Sequence, residues 1–222
     1  MEEFLGILFC GGKGTRLGEI SKYISKSLLP VYDRPVFKFG LEQLTNSSLI
    51  TDIILLTNEM NNEVLSREGF KTIVQDDSEV HDMFSGWEFI KRKTGTNANA
   101  VLVPSDNICD SDIDSMIKVF ENKKCDFLFS LYKVESKQKL SEMGSFDTLR
   151  KIFKYKDKDP VTEFGVIAPY IIRNNLQFDP GKNIFETENA EILINEGYWS
   201  DIGDIDSLLD AGILRKKIKS SN

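Results

Sequence analysis

Histidine is nearly absent from this chain, and cysteine is scarce and odd in number. One histidine and three cysteines in 222 residues leave too few soft ligands for a structural zinc site, which takes four. Cys10, Cys109 and Cys125 lie in or beside apolar runs, which is typical of reduced core residues. We therefore expect neither zinc nor disulfide bonds to organise the fold.

The chain also lacks an apolar run near the roughly 18 residues that span a bilayer, and it has no excess of positive charge. Its 28 basic and 35 acidic residues give a net charge of −7, which argues against non-specific binding to nucleic acid. The first residues, Met-Glu-Glu, have the wrong charge for a secretory signal. These absences predict a cytoplasmic protein with neither a membrane nor a nucleic acid as partner.

Apolar segments of strand length alternate with amphipathic segments through the first 133 residues. The predicted strands cover residues 4–10, 52–57, 71–74, 100–103 and 127–132, and the predicted helices cover 34–44, 59–67, 80–91 and 113–120. Continuous apolar strands separated by helices predict an α/β fold, a mostly parallel twisted sheet with helices on both faces.

The pattern changes after residue 133. Strand-like segments at 146–155 and 164–172 follow each other without a helix, and an extended segment at 192–199 precedes a closing helix at 205–218. We therefore predict two halves of one integrated domain, an α/β half over residues 1–133 and a small α+β cap with the C-terminal helix over 134–222.

The first predicted strand ends in a loop with three glycines in four positions. Glycine lets the backbone approach a ligand closely and turn its N–H groups toward phosphate oxygens. A P-loop needs lysine where Gly12 stands, and the dinucleotide fingerprint needs glycine where Leu17 stands. Because Arg16 and Lys26 follow the loop closely, the segment predicts a triphosphate site of another type.

Other polar residues follow the predicted strands. Gln75 and the pair Ser105-Asp106 each come directly after a strand, and ligands of parallel sheets bind beyond these carboxyl ends. Asp106 suits Mg²⁺, which takes one or two carboxylates together with phosphate oxygens.

The pattern Gly-Gly-x-Gly-Thr-Arg-Leu, followed by Ser-Lys-x-Leu-Leu-Pro-Val-Tyr-Asp-Arg-Pro, resembles the signature of the sugar-1-phosphate nucleotidyltransferases. The serine before Lys26 and the ten-residue step from Arg16 are most similar to the glucose-1-phosphate thymidylyltransferase branch, in a short form without a C-terminal extension. The resemblance implies a Rossmann-like fold and transfer of a nucleotidyl group from a nucleoside triphosphate, with dTTP favoured, to a sugar 1-phosphate. Mg²⁺ is the implied cofactor, and the cap would bind the sugar phosphate.

The resemblance also implies roles for individual residues. The catalytic cations would be Arg16, Lys26 and Lys158. The nucleotide would be bound by Gly11, Gly12, Gly14, Thr15, Gln75 and Ser105. The sugar would be bound by Gly144, Asp157 and Gly165. The metal would be held by Asp106 and Asp201, which stand 95 residues apart.

Several departures from the family pattern leave alternatives open. Residues 76–82 replace the segment that reads the base, Ser105 stands where the family has glycine, and one inserted residue makes Lys156 the alternative to Lys158. One alternative is a cytidylyl-, uridylyl- or guanylyltransferase acting on another sugar or alcohol phosphate. The other is a non-catalytic, nucleotide-binding regulatory module. Both a monomer and a homodimer fit the sequence.

Overall fold

A computed structural model describes residues 2–12, 14–177 and 183–220 of the chain. The strands in these ranges are β1 (Phe4–Phe9), β2 (Pro30–Val31), β3 (Arg34–Pro35), β4 (Ile50–Thr57), β5 (Lys71–Val74), β6 (Asn99–Pro104), β7 (Asn107–Cys109), β8 (Phe127–Lys133), β9 (Gly144–Asp147), β10 (Ile152–Tyr155), β11 (Phe164–Ile172), β12 (Ala190–Asn195) and β13 (Trp199–Asp201). The α-helices are α1 (Phe37–Asn46), α2 (Glu59–Leu65), α3 (Met83–Thr94), α4 (Ile113–Lys123), α5 (Lys137–Leu140) and α6 (Ile205–Ser220). No helix among the described residues combines the length and the apolar character that a membrane span needs.

Nine strands form one mixed sheet with a parallel centre. Its main path runs β10-β9-β11-β6-β1-β4-β5, and β8 lies beside both β11 and β12. The neighbours β6, β1, β4 and β5 are all parallel, whereas β11 is antiparallel to β6. The predicted α/β class with a mostly parallel sheet is confirmed.

The central strand β1 shows why helices cover both faces of the sheet. Successive side chains of a strand point to opposite faces. Phe4 and Leu8 pack in one core cluster, which contains apolar residues of α1 and α4. Leu5 and Ile7 pack in the other, where Trp87 of α3 lies. A strand that buries both faces is apolar throughout, and this is the pattern the sequence has at residues 4–10.

The second half of the chain adds strands to the same sheet. β9, β10, β11 and β12 all belong to the nine-stranded sheet, so the cap and the α/β half share one set of strands. The single strand predicted at 146–155 is wrong, because β9 and β10 form an antiparallel hairpin. The division at residue 133 stays a prediction.

Two predicted helix boundaries shift for local reasons. The helix predicted from residue 34 begins at Phe37, because Arg34 and Pro35 pair with β2 as a short strand. The helix predicted from residue 80 begins at Met83, because the Asp82 side chain accepts a hydrogen bond from the backbone N–H of Ser85 and caps the first turn.

The predicted state of the cysteines is confirmed, since Cys10, Cys109 and Cys125 are all free and buried.

Candidate active site

The glycine loop follows β1 at the carboxyl end of the parallel strands. Gly11 faces Gln75, which follows β5, and a Cβ at Gly11 would lie 1.9 Å from the Gln75 side-chain oxygen. Gly14 has a φ of 60°, in the left-handed region that favours glycine. Gly12 is open on its Cβ side, with no atom of the described residues beyond its chain neighbours within 4 Å. The loop therefore favours glycine at residue 14 for backbone conformation, whereas a side chain at residue 11 would displace the flexible end of Gln75.

The segment around Lys26 is fixed by buried hydrogen bonds on both sides of the lysine. Before it, the Asn61 amide donates to Ser25 Oγ at 3.0 Å. After it, the hydroxyls of Ser27 and Ser105 lie 2.8 Å apart. Lys26 itself is 7% exposed, which is rare for lysine unless the ammonium is paired. The surrounding chain holds this cation in one place at the ends of the strands.

Ser105, the residue that departs from the family glycine, has a partner within the protein. It is 4% exposed, and its hydroxyl is bonded to Ser27. The serine side chain is therefore turned into the protein and hydrogen-bonded there.

Asp106 and Asp201 meet through the pairing of two short strands. β7 and β13 are antiparallel, with Asn107 opposite Asp201, and the backbone N–H of Ile202 donates to the Asp106 carbonyl at 2.8 Å. The Asn107 amide nitrogen donates to Asp106 Oδ1 at 3.0 Å and to Asp201 Oδ1 at 3.2 Å. One amide nitrogen thus contacts both carboxylates, although they are far apart in sequence.

Each carboxylate also has a basic neighbour. Lys26 Nζ donates to Asp106 Oδ2 at 2.5 Å, and Arg16 Nη2 lies 3.9 Å from Asp201 Oδ2. The Arg16 guanidinium passes over Gly203, where a Cβ would come within 3.2 Å of both its terminal nitrogens. Two of the three cations named by the sequence, Lys26 and Arg16, therefore lie at the two carboxylates.

The pKa of Asp201 reflects this crowded environment. Burial of the side chain and the nearby charge of Asp106 raise its pKa to about 6, whereas Lys26 and Arg16 act in the opposite direction. A carboxylate with a pKa raised by burial and by a second carboxylate gains from a cation placed between them. Perturbed pKa values of this kind are typical of functional sites.

The donor set fits a hard divalent cation that is also held by its substrate. Among the described residues no group of three or more His, Cys, Asp or Glu side chains could form a metal cage. The pair Asp106 and Asp201 supplies two carboxylates, and Mg²⁺ is commonly bound by one or two carboxylates together with substrate phosphates.

The four residues predicted at the sugar phosphate lie on the cap strands and the loop after β10. A Cβ at Gly144 would lie 2.6 Å from the Phe153 ring, and one at Gly165 would lie 2.6 Å from Met143, so this chain's own side chains fill both spaces. Asp157 accepts a hydrogen bond from Lys154 Nζ at 2.8 Å. Lys158 is exposed. The roles of the four residues stay predictions.

Sequence reasoning missed three residues around the carboxylates. The indole N–H of Trp199 donates to Asn107 Oδ1 at 2.9 Å. Lys139 Nζ lies 5.2 Å from the centre of the Trp199 ring, and its charge lowers the pKa of Asp201. The only signal for Asn107 and Trp199 in the sequence is their closeness to Asp106 and Asp201 along the chain. Nothing in the charged stretch over residues 133–140 distinguishes Lys139 from the other lysines there.

The chain thus has an α/β fold with a glycine loop, a buried lysine and a carboxylate pair at the ends of parallel strands, an arrangement that suits the binding of phosphates and a divalent cation. A comparison with known protein families matches residues 5–147 to the family described as nucleotidyl transferase. The chain therefore belongs to the nucleotidyl transferase family.

Individual relatives agree with this assignment. The chain is 28% identical over 237 residues to the glucose-1-phosphate thymidylyltransferase of Mycobacterium tuberculosis. This alignment covers 93% of this chain and 80% of the relative. It is 28% identical over 129 residues to translation initiation factor eIF2B subunit gamma of Caenorhabditis elegans, covering 54% of this chain and 32% of that protein. To several curated relatives the chain is similar over only 21% to 32% of their own length.

The fold is shared with a solved structure from Bacillus anthracis, assigned as a glucose-1-phosphate thymidylyltransferase and complexed with sucrose. The two structures match with a TM-score of 0.79 at 23% identity, over 95% of this chain and 94% of that one. At this identity the similarity shows the fold alone.

Proposed function

We propose that this chain transfers a nucleotidyl group from a nucleoside triphosphate to a sugar 1-phosphate and releases pyrophosphate. The observation that carries the proposal is the meeting of Asp106 and Asp201 on one amide, beside Lys26 and Arg16. Two carboxylates and two cations at the ends of parallel strands suit a reaction in which several phosphate groups meet around a metal ion.

In the proposed reaction, a phosphate oxygen of the sugar 1-phosphate attacks the α-phosphorus of the triphosphate. The bond from the α-phosphorus to the oxygen that bridges to the β-phosphorus breaks, and that oxygen leaves with pyrophosphate. No covalent intermediate on the protein is needed, so the protein contributes positioning and neutralisation of charge. When bound, Mg²⁺ would be held by Asp106 and Asp201 and would neutralise charge on phosphate oxygens.

Each basic residue has a distinct proposed task. Arg16 and the backbone N–H groups of residues 11–15 hold the leaving β- and γ-phosphates. Lys26 neutralises charge at the α-phosphate, because its rigid, buried position leaves it at the strand ends. Lys158 steers the attacking phosphate, and Lys139 adds a further positive charge that acts on Asp201.

The organic part of the acceptor has a cavity available beside the cap. This cavity has a volume of about 920 Å³ and reaches from the start of α3 to β9, β10 and β11. Gly144 and Phe153 are among its lining residues. We propose that the sugar lies at the Gly144 end, with Asp157 nearby on the loop after β10.

We propose dTTP as the nucleotide. The support is the Ser-Lys-x-Leu-Leu-Pro-Val-Tyr-Asp motif and the similarity to relatives named glucose-1-phosphate thymidylyltransferase. Residues 76–82 differ from the family's base-reading segment, so cytidylyl, uridylyl and guanylyl transfer stay open as the alternatives.

A second candidate is a nucleotide-binding module without efficient chemistry. The observation that favours it is the similarity over half of this chain to a subunit of a translation initiation factor, whose name states no transfer reaction. The ion pairs that join Lys26 to Asp106 and Arg16 to Asp201 favour the enzyme.

A pyrophosphate-release screen separates these possibilities. The purified chain is incubated with Mg²⁺, each of the four triphosphates and a panel of sugar 1-phosphates. We expect release with dTTP and one sugar 1-phosphate. Release with another triphosphate would identify a different transferase, and nucleotide binding without release would identify the module.

Two variants connect the activity to the site. Arg16→Ala and Asp106→Ala are each expected to lower turnover by about 10²-fold or more, the typical effect of removing one electrostatic contact to the transition state. Glu19→Ala, which alters an exposed charged residue three positions after Arg16, is the matched control and is expected to keep full turnover. Wild-type turnover in Arg16→Ala or Asp106→Ala would refute that residue's role.

A further inference from the structure

The side chain of Asn107 contacts both carboxylates through its amide nitrogen. It lies directly opposite Asp201 in the β7–β13 pair, and residues directly opposite in an antiparallel pair share one face of the sheet. Asp106 is its neighbour in the chain. Both N–H groups of the amide are therefore used, one toward each carboxylate, at 3.0 and 3.2 Å.

The orientation of this amide is fixed by Trp199. An amide has a donor end and an acceptor end, and only its hydrogen-bond partners determine which end points where. The Trp199 indole N–H is a donor only, so it must face the amide oxygen, and it does so at 2.9 Å. The nitrogen is thereby directed toward Asp106 and Asp201, which accept hydrogen bonds.

The arrangement opposes the repulsion between two like charges. Two ionised carboxylates that share a site repel each other, and a hydrogen-bond donor or a cation that contacts both opposes this repulsion. Hydrogen bonds from a neutral donor to an ionised carboxylate are stronger than those between neutral groups. The amide thus supplies two such bonds, while the hydrogen bond from the indole prevents the amide from flipping.

We propose that Asn107 is a positioning residue, oriented by Trp199, which holds Asp106 and Asp201 at the separation that a divalent cation needs. This inference rests on the proposed function in one respect: Asp106 and Asp201 are the carboxylates proposed to hold the Mg²⁺ of the transfer reaction. It assigns to Asn107 and Trp199 an effect on metal affinity that persists in the absence of any sugar phosphate.

The test is Mg²⁺ binding to the full chain, measured by isothermal titration calorimetry without nucleotide. Asn107→Leu is expected to weaken Mg²⁺ binding by about tenfold or more, because loss of groups that orient metal ligands typically costs 10- to 100-fold in affinity. Trp199→Phe keeps an aromatic ring but removes the N–H together with part of the indole, and its expected loss of Mg²⁺ affinity is smaller but in the same direction. Asn195→Leu is the matched control. Its amide contacts Cys109 Sγ and no carboxylate of the pair, and wild-type affinity is expected.

Thermal unfolding in EDTA separates positioning from general support of the fold. A purely structural role for Asn107 would lower the unfolding midpoint and leave the Mg²⁺ affinity of the folded variant unchanged. Wild-type affinity in both Asn107→Leu and Trp199→Phe would overturn the inference, as would a wild-type chain that binds no Mg²⁺. If Asn107→Leu does not fold, Trp199→Phe decides alone. The proposed transfer reaction is judged separately, by pyrophosphate release from the wild type.

Discussion

Replacing Asp201 by asparagine is expected to make the metal-free protein more stable while removing a proposed ligand of the metal. Asp201 has an ordinary pKa of 3.8, which burial and the charge of Asp106 raise to about 6 in the folded protein. The folded state therefore binds this proton more tightly than the unfolded state does. As pH rises from about 4 to about 6, stability falls, because the unfolded chain loses the proton first.

The size of the effect follows from the pKa shift. One pKa unit corresponds to about 1.4 kcal/mol, so the shift sets an upper limit of roughly 3 kcal/mol. The side chain is 32% exposed, and solvent screening reduces the expected gain to about 1–2 kcal/mol. Asparagine keeps an oxygen that can accept the hydrogen bond from Asn107. Its loss of the long contact to Arg16 costs little, because Arg16 is largely exposed.

The assay is urea unfolding in EDTA between pH 4 and pH 8. Asp201→Asn should match the wild type near pH 4 and exceed it in stability above pH 6. Asp204→Asn removes the same charge three residues away, where hydrogen bonds from Ser207 lower the pKa of the carboxyl. This control should gain no stability at neutral pH. A less stable Asp201→Asn variant, or a gain that does not change with pH, would refute the reasoning.

Two further predictions concern Gly11 of the glycine loop and the buried residue Ser105. Gly11→Ala places a methyl group 1.9 Å from the Gln75 oxygen, but this oxygen ends a flexible side chain that can move aside, so the change should cost less than about 1 kcal/mol of stability in urea unfolding. Adding Gln75→Ala should recover most of the lost stability. If it does not, the methyl group is crowded by atoms other than those of Gln75. Ser105→Gly removes a buried hydrogen bond and should cost about 1 kcal/mol without raising turnover. A marked rise in pyrophosphate release would instead mean that the serine obstructs the nucleotide.

The sheet was predictable because its strands carry their own pattern. β11 has the predicted bounds, since its continuous apolar run reports burial on both faces. β5 also has the predicted bounds, although its residues are only half-buried or exposed. The hairpin between β9 and β10 was not predicted, because its turn contains neither glycine nor proline. Asp147 makes that turn, with Oδ1 accepting from the backbone N–H groups of Leu149 and Arg150. Its carboxylate was the signal available in the sequence.

The candidate site was predictable only where a single segment carries it. The glycine loop, Arg16 and Lys26 lie within one stretch of chain, so their spacing could be compared with known patterns. The contact of Asn107 with Asp201 depends on the pairing of two three-residue strands, and segments this short have no periodicity of their own. The position of Lys139 against Trp199 depends on the same pairing and on the short helix α5.

The bond from Lys26 to Asp106 has a thermodynamic consequence for ligand binding. In the ligand-free protein, the Lys26 ammonium occupies the position at Asp106 that a metal ion would take. The Asp106 carboxylate in turn occupies the position at Lys26 that a phosphate would take. A divalent ion that takes the carboxylate releases the ammonium for an anion, and an anion that takes the ammonium releases the carboxylate for the ion. By linkage the two affinities must rise by the same factor, so metal and polyphosphate should each bind more tightly in the presence of the other.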